Sequence, residues 1–360
     1  MTSLLPPVPY PLLRRALFTL PPAKAQKVGD GFLKWASQRP WALSNLEAHH
    51  AVLDERLHVE ALGRRFPNPL GAAGGVDKNG TIFPALQALG FGHVEVGTVT
   101  PRQQDPNPGQ ILWRAPKDKG LVNAMGFPND GMDAVAPRVH AAPRPGDGQV
   151  GINVGPNRDK VDAVDEELAV LLPHLAPLAD FLTLNLSSPN TKGLRGLQDP
   201  KTITATVGKA LTLLDGLPSK PPRLMVKLSP DSDDEATVAQ AKAAIDAGAA
   251  GVVATNTTVT RPEHLAHLEK GGLSGAPLRA RATEVVRLVA KAVGDDGIVV
   301  GVGGISSGAD AAEKLAAGAS LVQAYTGFIY RGPGFPGLVC KELLTELDAR
   351  GLDRVSELSA

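Results

Sequence analysis

From residue 57 onward, short apolar runs rich in β-branched residues alternate with longer stretches rich in Ala and Leu. Eight of the short runs read as core strands: "PLGAAGG", "HVEVGTV", "QVGINVG", "FLTLNLS", "RLMVKLS", "GVVATN", "GIVVGVG" and "LVQAYTG". Between them, stretches such as "DDEATVAQAKAAIDAGA" and "GADAAEKLAAGA" read as helices that stop at Ala-Gly. Strands alternating with helices imply parallel βα units, and eight such units predict a closed (β/α)8 barrel, the TIM-barrel class of α/β fold. "LHVEALGRRFPNP" reads as a small hairpin ahead of the first core strand. The competing architecture is an open doubly wound sheet. It lacks its dinucleotide fingerprint, because the nearest match, "GVGGIS", ends in Ser306 and comes at the seventh strand.

The first forty residues follow a different pattern. Leu12, Leu13, Ala16, Leu17 and Leu20 form one helical stripe; Ala25, Val28, Phe32, Trp35 and Ala36 form a second. Pro21 and Pro22 separate them and should break the helix there. The segment carries Arg14, Arg15, Lys24, Lys27, Lys34 and Arg39 against Asp30 alone, six positive charges to one negative, a net of +5. No run approaches the roughly 20 apolar residues that span a bilayer, and basic residues interrupt the stretch where a signal peptide would need continuity. Two short basic amphipathic helices either lie on an anionic membrane surface or simply cap the main domain. We therefore divide the chain into a helical extension, 1–45, and a barrel, 46–360.

Composition narrows the function. Thirty-seven basic and thirty-seven acidic residues cancel, so no global field points to nucleic acid. The lone Cys340 excludes a disulfide framework and any multi-cysteine metal site, and no metal constellation is visible.

The candidate chemistry lies at the strand ends. Lys78, Thr98, Asn153, Asn185, Lys227, and Thr255 with Asn256 each close a strand, and in a barrel these ends share one mouth. A single polar ending, such as "LNLSSPNTKGLRGL", is an ordinary turn; seven converging on one face are a site. "GVGGIS" and "AYTG", after strands seven and eight, read as a phosphate holder, with "GGLSG" adding a flexible glycine loop before them. Lys227, apolar on both sides in "LMVKLS", would stabilise an anion such as a carboxylate or a reduced cofactor ring. Asn123, Asn153, Asn185, Asn190 and Asn256 make an amide-rich mouth suited to a flat heterocycle with imide groups. Acidic residues near the mouth are few, mainly Asp77, and no Ser/His/Asp order is present.

"GVDKNG", "EVGTVTPR", "NAMGFPNDG", "GINVGPNRD", "LNLSSPNTKGLR", "VKLSPD", "ATNTT", "GGLSGAPL", "GVGGISS" and "LVQAYTGFIYRGP" together resemble the dihydroorotate dehydrogenase family, in its class 2, quinone-dependent branch. The resemblance runs in order along essentially the whole chain. It implies an FMN-binding barrel that oxidises (S)-dihydroorotate to orotate in pyrimidine synthesis, with Ser188 as the base that removes the C5 proton while the C6 hydride passes to the flavin. Class 1 enzymes place a cysteine base in a different loop, a part that Cys340, in the C-terminal helical segment, cannot play. The resemblance assigns FMN to Gly74, Gly75, Val76, Asp77, Lys78, Thr98, Asn153, Asn185, Lys227 and Thr255, with Gly275, Gly304, Tyr325 and Thr326 at the phosphate end. It assigns the substrate to Lys78, to Asn123, Ala124, Met125, Gly126 and Phe127, and to Asn185, Asn190, Asn256 and Thr257.

The extension then corresponds to the quinone-binding, membrane-docking segment, with Arg114 near the quinone. The family's usual histidine at the quinone mouth is replaced here by Gln26. The implied protein is a monomer held peripherally at the cytoplasmic face of the cell membrane, with no transmembrane helix and no nucleic-acid partner. Two rivals remain on the residues alone: another flavin barrel using a nicotinamide donor, and a non-catalytic barrel that binds a phosphorylated ligand.

Overall fold

The computed structural model describes residues 10–359; the first nine residues of the extension lie outside the described residues. Helices α1 (Tyr10–Thr19), α2 (Pro22–Ser37) and α3 (Pro40–His50) lead into a hairpin of β1 (Val59–Ala61) and β2 (Arg64–Phe66). The helix break at Pro21 and Pro22 is where the prolines put it, with Pro22 opening α2.

The barrel begins with β3 (Leu70–Asp77), α4 (Phe83–Ala88) and β4 (His93–Val99). An excursion follows through β5 (Leu112–Ala115), β6 (Gly120–Asn123) and α5 (Met132–Ala141). The βα alternation resumes with β7 (Gln149–Val154), α6 (Val164–Leu175), β8 (Phe181–Asn185), α7 (Pro200–Asp215), β9 (Arg223–Leu228), α8 (Asp234–Asp246) and β10 (Gly251–Ala254). After β11 (Gly272–Gly275) come α9 (Arg279–Val293), β12 (Ile298–Val302), α10 (Gly308–Ala316), β13 (Leu321–Ala324), α11 (Thr326–Arg331) and α12 (Phe335–Arg350). Side-chain caps start several of these helices. Asp199 accepts from the amides of Lys201 and Thr202 at α7, and Asp233 from Ala236 at α8.

The eight expected runs are the eight barrel strands, closed in the order β3-β4-β7-β8-β9-β10-β12-β13 with every pairing parallel. "GGLSG" departs from expectation. It is not a flexible loop: Gly272–Gly275 is β11, which pairs antiparallel with β6, itself paired with β5. This three-stranded sheet roofs the barrel mouth, and Leu112, Leu121, Asn123 and Ser274 face the cavity beneath. The boundary expected after residue 45 falls inside α3. Leu33 and Ala36 of α2 and Ala42 and Leu43 of α3 belong to the same buried cluster as the barrel, and Ser37 Oγ accepts from the amide of Ala85 in α4 at 3.1 Å. α1, by contrast, buries no residue.

Inside the barrel, strand parity sorts side chains into layers, since alternate residues share a face. His93 opens β4 at the floor and is edge-on to Phe66 (centroids 5.5 Å apart) and Phe181 (5.9 Å). Neither ring nitrogen of His93 has a hydrogen-bond partner among the described residues, and burial pulls its pKa down to about 4. An unfolded histidine titrates near 6.5, so on acidification the unfolded chain takes the proton first. This contribution to stability is complete above about pH 6.5 and is lost as pH falls toward about 4, on the order of 3 kcal/mol for the full shift. His93→Phe, which preserves the aromatic floor, is expected to unfold with a shallower loss of urea stability over that window; an unchanged pH slope would show that the floor histidine does not carry it.

Candidate active site

Two residues above His93 on the same face of β4 stands Glu95, fully buried in the barrel axis. Its Oε1 accepts from Asn153 Nδ2 (2.6 Å) and lies 3.7 Å from Lys227 Nζ; its Oε2 accepts from Gln323 Nε2 (3.0 Å) and Thr183 Oγ1 (3.1 Å). Burial pushes the Glu95 carboxyl up, but the Lys227 ammonium and these three hydrogen bonds outweigh it and hold the group below its ordinary value. Glu95 is thus an anion whose counter-charge, Lys227, reaches the floor of the cavity above.

The next layer is a chain of amides and hydroxyls. Thr98 Oγ1 donates to Asn153 Oδ1 (2.6 Å) and accepts from Asn185 Nδ2 (3.0 Å). Asn256 Nδ2 donates to Asn185 Oδ1 (3.3 Å) and Ser187 Oγ (3.0 Å). These contacts lock the amide orientations, so the mouth presents a fixed pattern of donors and acceptors. The cavity above them holds about 1100 Å³ of empty space, counting the open solvent at its mouth.

Ser188 stands in its wall, buried, on the loop after β8. Its Oγ accepts from the amide of Asn190 at 3.2 Å, and Asn190 Nδ2 donates to Asn123 Oδ1 at 3.0 Å, tying the serine loop to the roof. At the far end, Gly275 and Gly304 have φ of 91° and 81°. A Cβ at Gly275 would stand 2.3 Å from the carbonyl oxygen of Lys119, and one at Gly304 would stand 2.4 Å from Cα of Arg279. Glycine is therefore required for the backbone to curve into a cradle there. Tyr325 and Thr326 complete the cradle, and Thr326 Oγ1 shares a 2.8 Å hydrogen bond with Ser274 Oγ of the roof.

Most of the expected residues meet in this one cavity: Gly74, Gly75, Lys78, Thr98, Asn185, Lys227, Thr255, Gly275, Gly304, Tyr325 and Thr326, with Asn123, Met125, Gly126, Phe127, Ser188, Asn190, Asn256 and Thr257. Four stand outside its lining. Asp77 is buried and its carboxylate accepts from the amides of Asn79, Thr81, Ile82 and Phe83, so it shapes the turn into α4. Val76 adjoins it, Asn153 lies one layer down, and Ala124 accepts through its carbonyl from Asn107 Nδ2 at 3.1 Å. Glu95, Gln323 and Ser274 were not foreseen. An acid at an inward position of "HVEVGTV" was the available signal for the first.

Arg114 and Gln26 lie apart from the cavity, by the extension. Arg114 Nη1 donates to the carbonyls of Phe18 (3.1 Å) and Leu20 (2.8 Å), and its guanidinium stacks 4.4 Å from the Phe18 ring centre. Tyr10 Oη donates to the carbonyl of Ile329 (2.6 Å) and Arg14 to that of Tyr330 (2.7 Å), so α1 rests on α11. Cys340 is buried in α12, where burial pushes its thiol up to about 12.

A family model described as dihydroorotate dehydrogenase matches residues 56–347. A Halobacterium salinarum protein named dihydroorotate dehydrogenase (quinone) is 44% identical, with 97% of this chain and 98% of that protein covered. A Chromobacterium violaceum protein of the same name is also 44% identical, covering 95% and 99%. Among solved structures, DHODH from Eimeria tenella in complex with ferulenol superposes with a TM-score of 0.83 at 33% identity, covering 93% of this chain and 94% of that one.

The Glu95–Lys227 pair generates a test of the site's electrostatics. Glu95→Gln leaves the ammonium of a lysine that is only 6% exposed without its counter-charge. Breaking a buried pair on one side costs roughly 3–5 kcal/mol. Urea unfolding at neutral pH is expected to show a loss of that order; a variant as stable as the parent would mean the pair is not needed to hold Lys227.

Proposed function

The chain belongs to the dihydroorotate dehydrogenase family, and on that footing we propose that it oxidises (S)-dihydroorotate to orotate in pyrimidine synthesis, with a quinone as electron acceptor. The observation that carries the reading to this chain's own residues is the meeting of Ser188, Lys78, Lys227 and the amides of Asn123, Asn185, Asn190 and Asn256 in one cavity.

The donor set fits FMN. The glycine-lined end would take its phosphate on Gly275, Gly304, Tyr325 and Thr326, where added side chains would fill the space. Gly74, Gly75, Thr98, Asn185, Lys227 and Thr255 would hold the ring, with Val76, Asp77 and Asn153 supporting them from behind. When bound, FMN accepts a hydride from the substrate and passes the electrons onward. Lys227 would favour the reduced, anionic ring, and its own charge is kept in place by Glu95.

Dihydroorotate would be oriented by Lys78 on its carboxylate and by Asn123, Asn190, Asn256 and Thr257 on its ring amides, with Met125, Gly126 and Phe127 closing one side. Ser188 then removes the C5 proton. A hydroxyl is a weak base in water, so the step needs a closed site and an outlet for the proton. Thr191 on the same loop is buried, with its hydroxyl unpartnered among the described residues, and we assign it to that outlet.

The quinone would enter at the extension, beside Arg114 and Gln26. Leu12, Leu13, Leu20, Val28, Phe32 and Trp35 are exposed on α1 and α2 or just beyond, among the basic residues. Among the described residues no helix is long and apolar enough to cross a membrane. An exposed apolar face with a positive rim suits peripheral docking on an anionic leaflet, on the cytoplasmic side and as a monomer.

Two experiments test these assignments. Ser188→Ala should bind flavin normally and be bleached by dihydroorotate roughly 10²–10⁴-fold more slowly; bleaching at the parent rate refutes the base assignment. Bleaching by a nicotinamide donor and not by dihydroorotate would refute the reaction itself. Removal of residues 1–20, whose helix α1 buries no residue, should leave dihydroorotate-driven bleaching intact and abolish most turnover of a long-chain quinone in liposomes. Undiminished liposomal turnover would exclude α1 from quinone access.

A further inference from the structure

The serine loop and the wall that shares its cavity come from distant parts of the chain. Ser188 and Asn190 follow β8, whereas Met125, Gly126 and Phe127 follow β6. The reaction proposed above needs them in register, because a substrate resting on the wall must offer its C5 proton to the serine. Asn107, in the connection between β4 and β5, touches both. Its backbone N–H donates to the carbonyl of Met125 at 2.9 Å, beside a bridge in which Gln104 and Asn129 exchange backbone hydrogen bonds of 2.9 and 3.0 Å. Its side-chain Nδ2 donates to the carbonyl of Ala124 at 3.1 Å and to that of Asn190 at 3.0 Å. A primary amide has two N–H donors, and both are spent on these carbonyls.

The wall is shaped around this side chain. A Cβ on Gly126 would stand 2.6 Å from both Nδ2 and Oδ1 of Asn107, so the wall carries glycine where the amide crosses it. Gly126 and Phe127 have φ of 72° and 56°, a left-handed turn that a phenylalanine rarely adopts. Gln104 Nε2 donates to both of their carbonyls, at 2.9 and 3.3 Å, and fixes the turn from behind. Asn190 is gripped at three points in its turn. Its carbonyl accepts from Asn107, its Nδ2 donates to Asn123 Oδ1, and its backbone N–H donates to Ser188 Oγ at 3.2 Å. That last bond occupies one lone pair of the hydroxyl assigned to take the C5 proton. The direction of the remaining lone pair therefore follows from where Asn190 stands.

We propose that Asn107 is a positioning residue for proton abstraction, aligning the Ser188 hydroxyl with a substrate held against Met125, Gly126 and Phe127. In the step it serves, the C5–H bond breaks, an O–H bond forms at Ser188 Oγ, and the hydroxyl's own proton leaves toward Thr191. Asn107 itself exchanges no proton. Loss of its amide frees the Asn190 carbonyl and with it the serine loop, and a reacting group misplaced by about 1 Å can cost roughly 10²-fold in rate.

The inference rests on the assignment of Ser188 as the base, and the test keeps the two apart. Holoenzyme is bleached anaerobically over a range of dihydroorotate concentrations, with rates normalised to bound flavin. Asn107→Ala should keep the parent's flavin content and bleach roughly 10²-fold more slowly at saturating dihydroorotate. Asn107→Asp keeps the volume but offers the two carbonyls no N–H at neutral pH, and should be as slow as Asn107→Ala. In a Ser188→Ala background, Asn107→Ala should cost nothing further, because a residue that acts through the base then has nothing to align. Four outcomes overturn the proposal. They are a double variant slower than Ser188→Ala by a further factor of about 10², an Asn107→Asp protein bleached at the parent rate, a rise in the half-saturating concentration with the saturating rate intact, and loss of flavin from both Asn107 variants. Ser188→Ala bleached at the parent rate overturns the base assignment beneath it instead, whatever Asn107 does.

Discussion

One buried carboxylate organises the interior of this barrel. Glu95 on β4 is met by Asn153 from β7, Thr183 from β8, Lys227 from β9 and Gln323 from β13, so it joins five of the eight strands through the axis. An ion in that position is tolerable only because every oxygen is engaged and a counter-charge is close. The arrangement also sets a vertical order of polarity: an aromatic floor around His93, an ionic layer at Glu95, and an amide layer at Thr98, Asn185 and Asn256. The cavity inherits a positive ammonium at its base and a rigid set of amides in its wall, and both follow from how that one acid is neutralised.

The mouth is bound to its roof rather than merely covered by it. Asn123 holds Asn190 two residues past the candidate base, Ser274 holds Thr326 at the glycine cradle, and Tyr330 Oη donates to the carbonyl of Gly120 at 3.0 Å. The ends of the cavity expected to serve proton abstraction and phosphate binding are therefore attached to the same three strands. α1 joins this frame from outside through carbonyl contacts to α11 and the Arg114 clasp.

The βα alternation made the barrel legible in the sequence, because strands buried on both faces read as compact apolar runs and their polar endings stand out against them. The roof was not legible. "GGLSG" has almost no side chains to alternate, and its partner, β6, lies about 150 residues away. Glu95 was hidden by its neighbours: among Val94, Val96 and Val99 a lone acid looks like strand punctuation until the barrel shows which face it takes. Asp77 is ambiguous in the sequence, since a carboxylate at a strand end serves four backbone amides as readily as a ligand. The two stripes of the extension were visible, but the way α2 and α3 enter the barrel's buried cluster depends on contacts with α4 that no local pattern announces.

The roof also governs where this chain can change length. β6 is paired on both sides, Leu121 with Arg114 and with Ser274, and its alternation sends Leu121 and Asn123 to the cavity and Val122 to a small outer cluster with Ala115, Leu265 and Leu273. Insertion of one residue within β6 would exchange the two faces, carrying the amide that holds Asn190 into that apolar cluster and turning a valine toward the substrate. The turn at 116–119, outside the ladder, has no such parity to keep. Insertions can accumulate at that turn and not within β6, so drift in chain length is confined to the edge of the site and its chemistry stays in register.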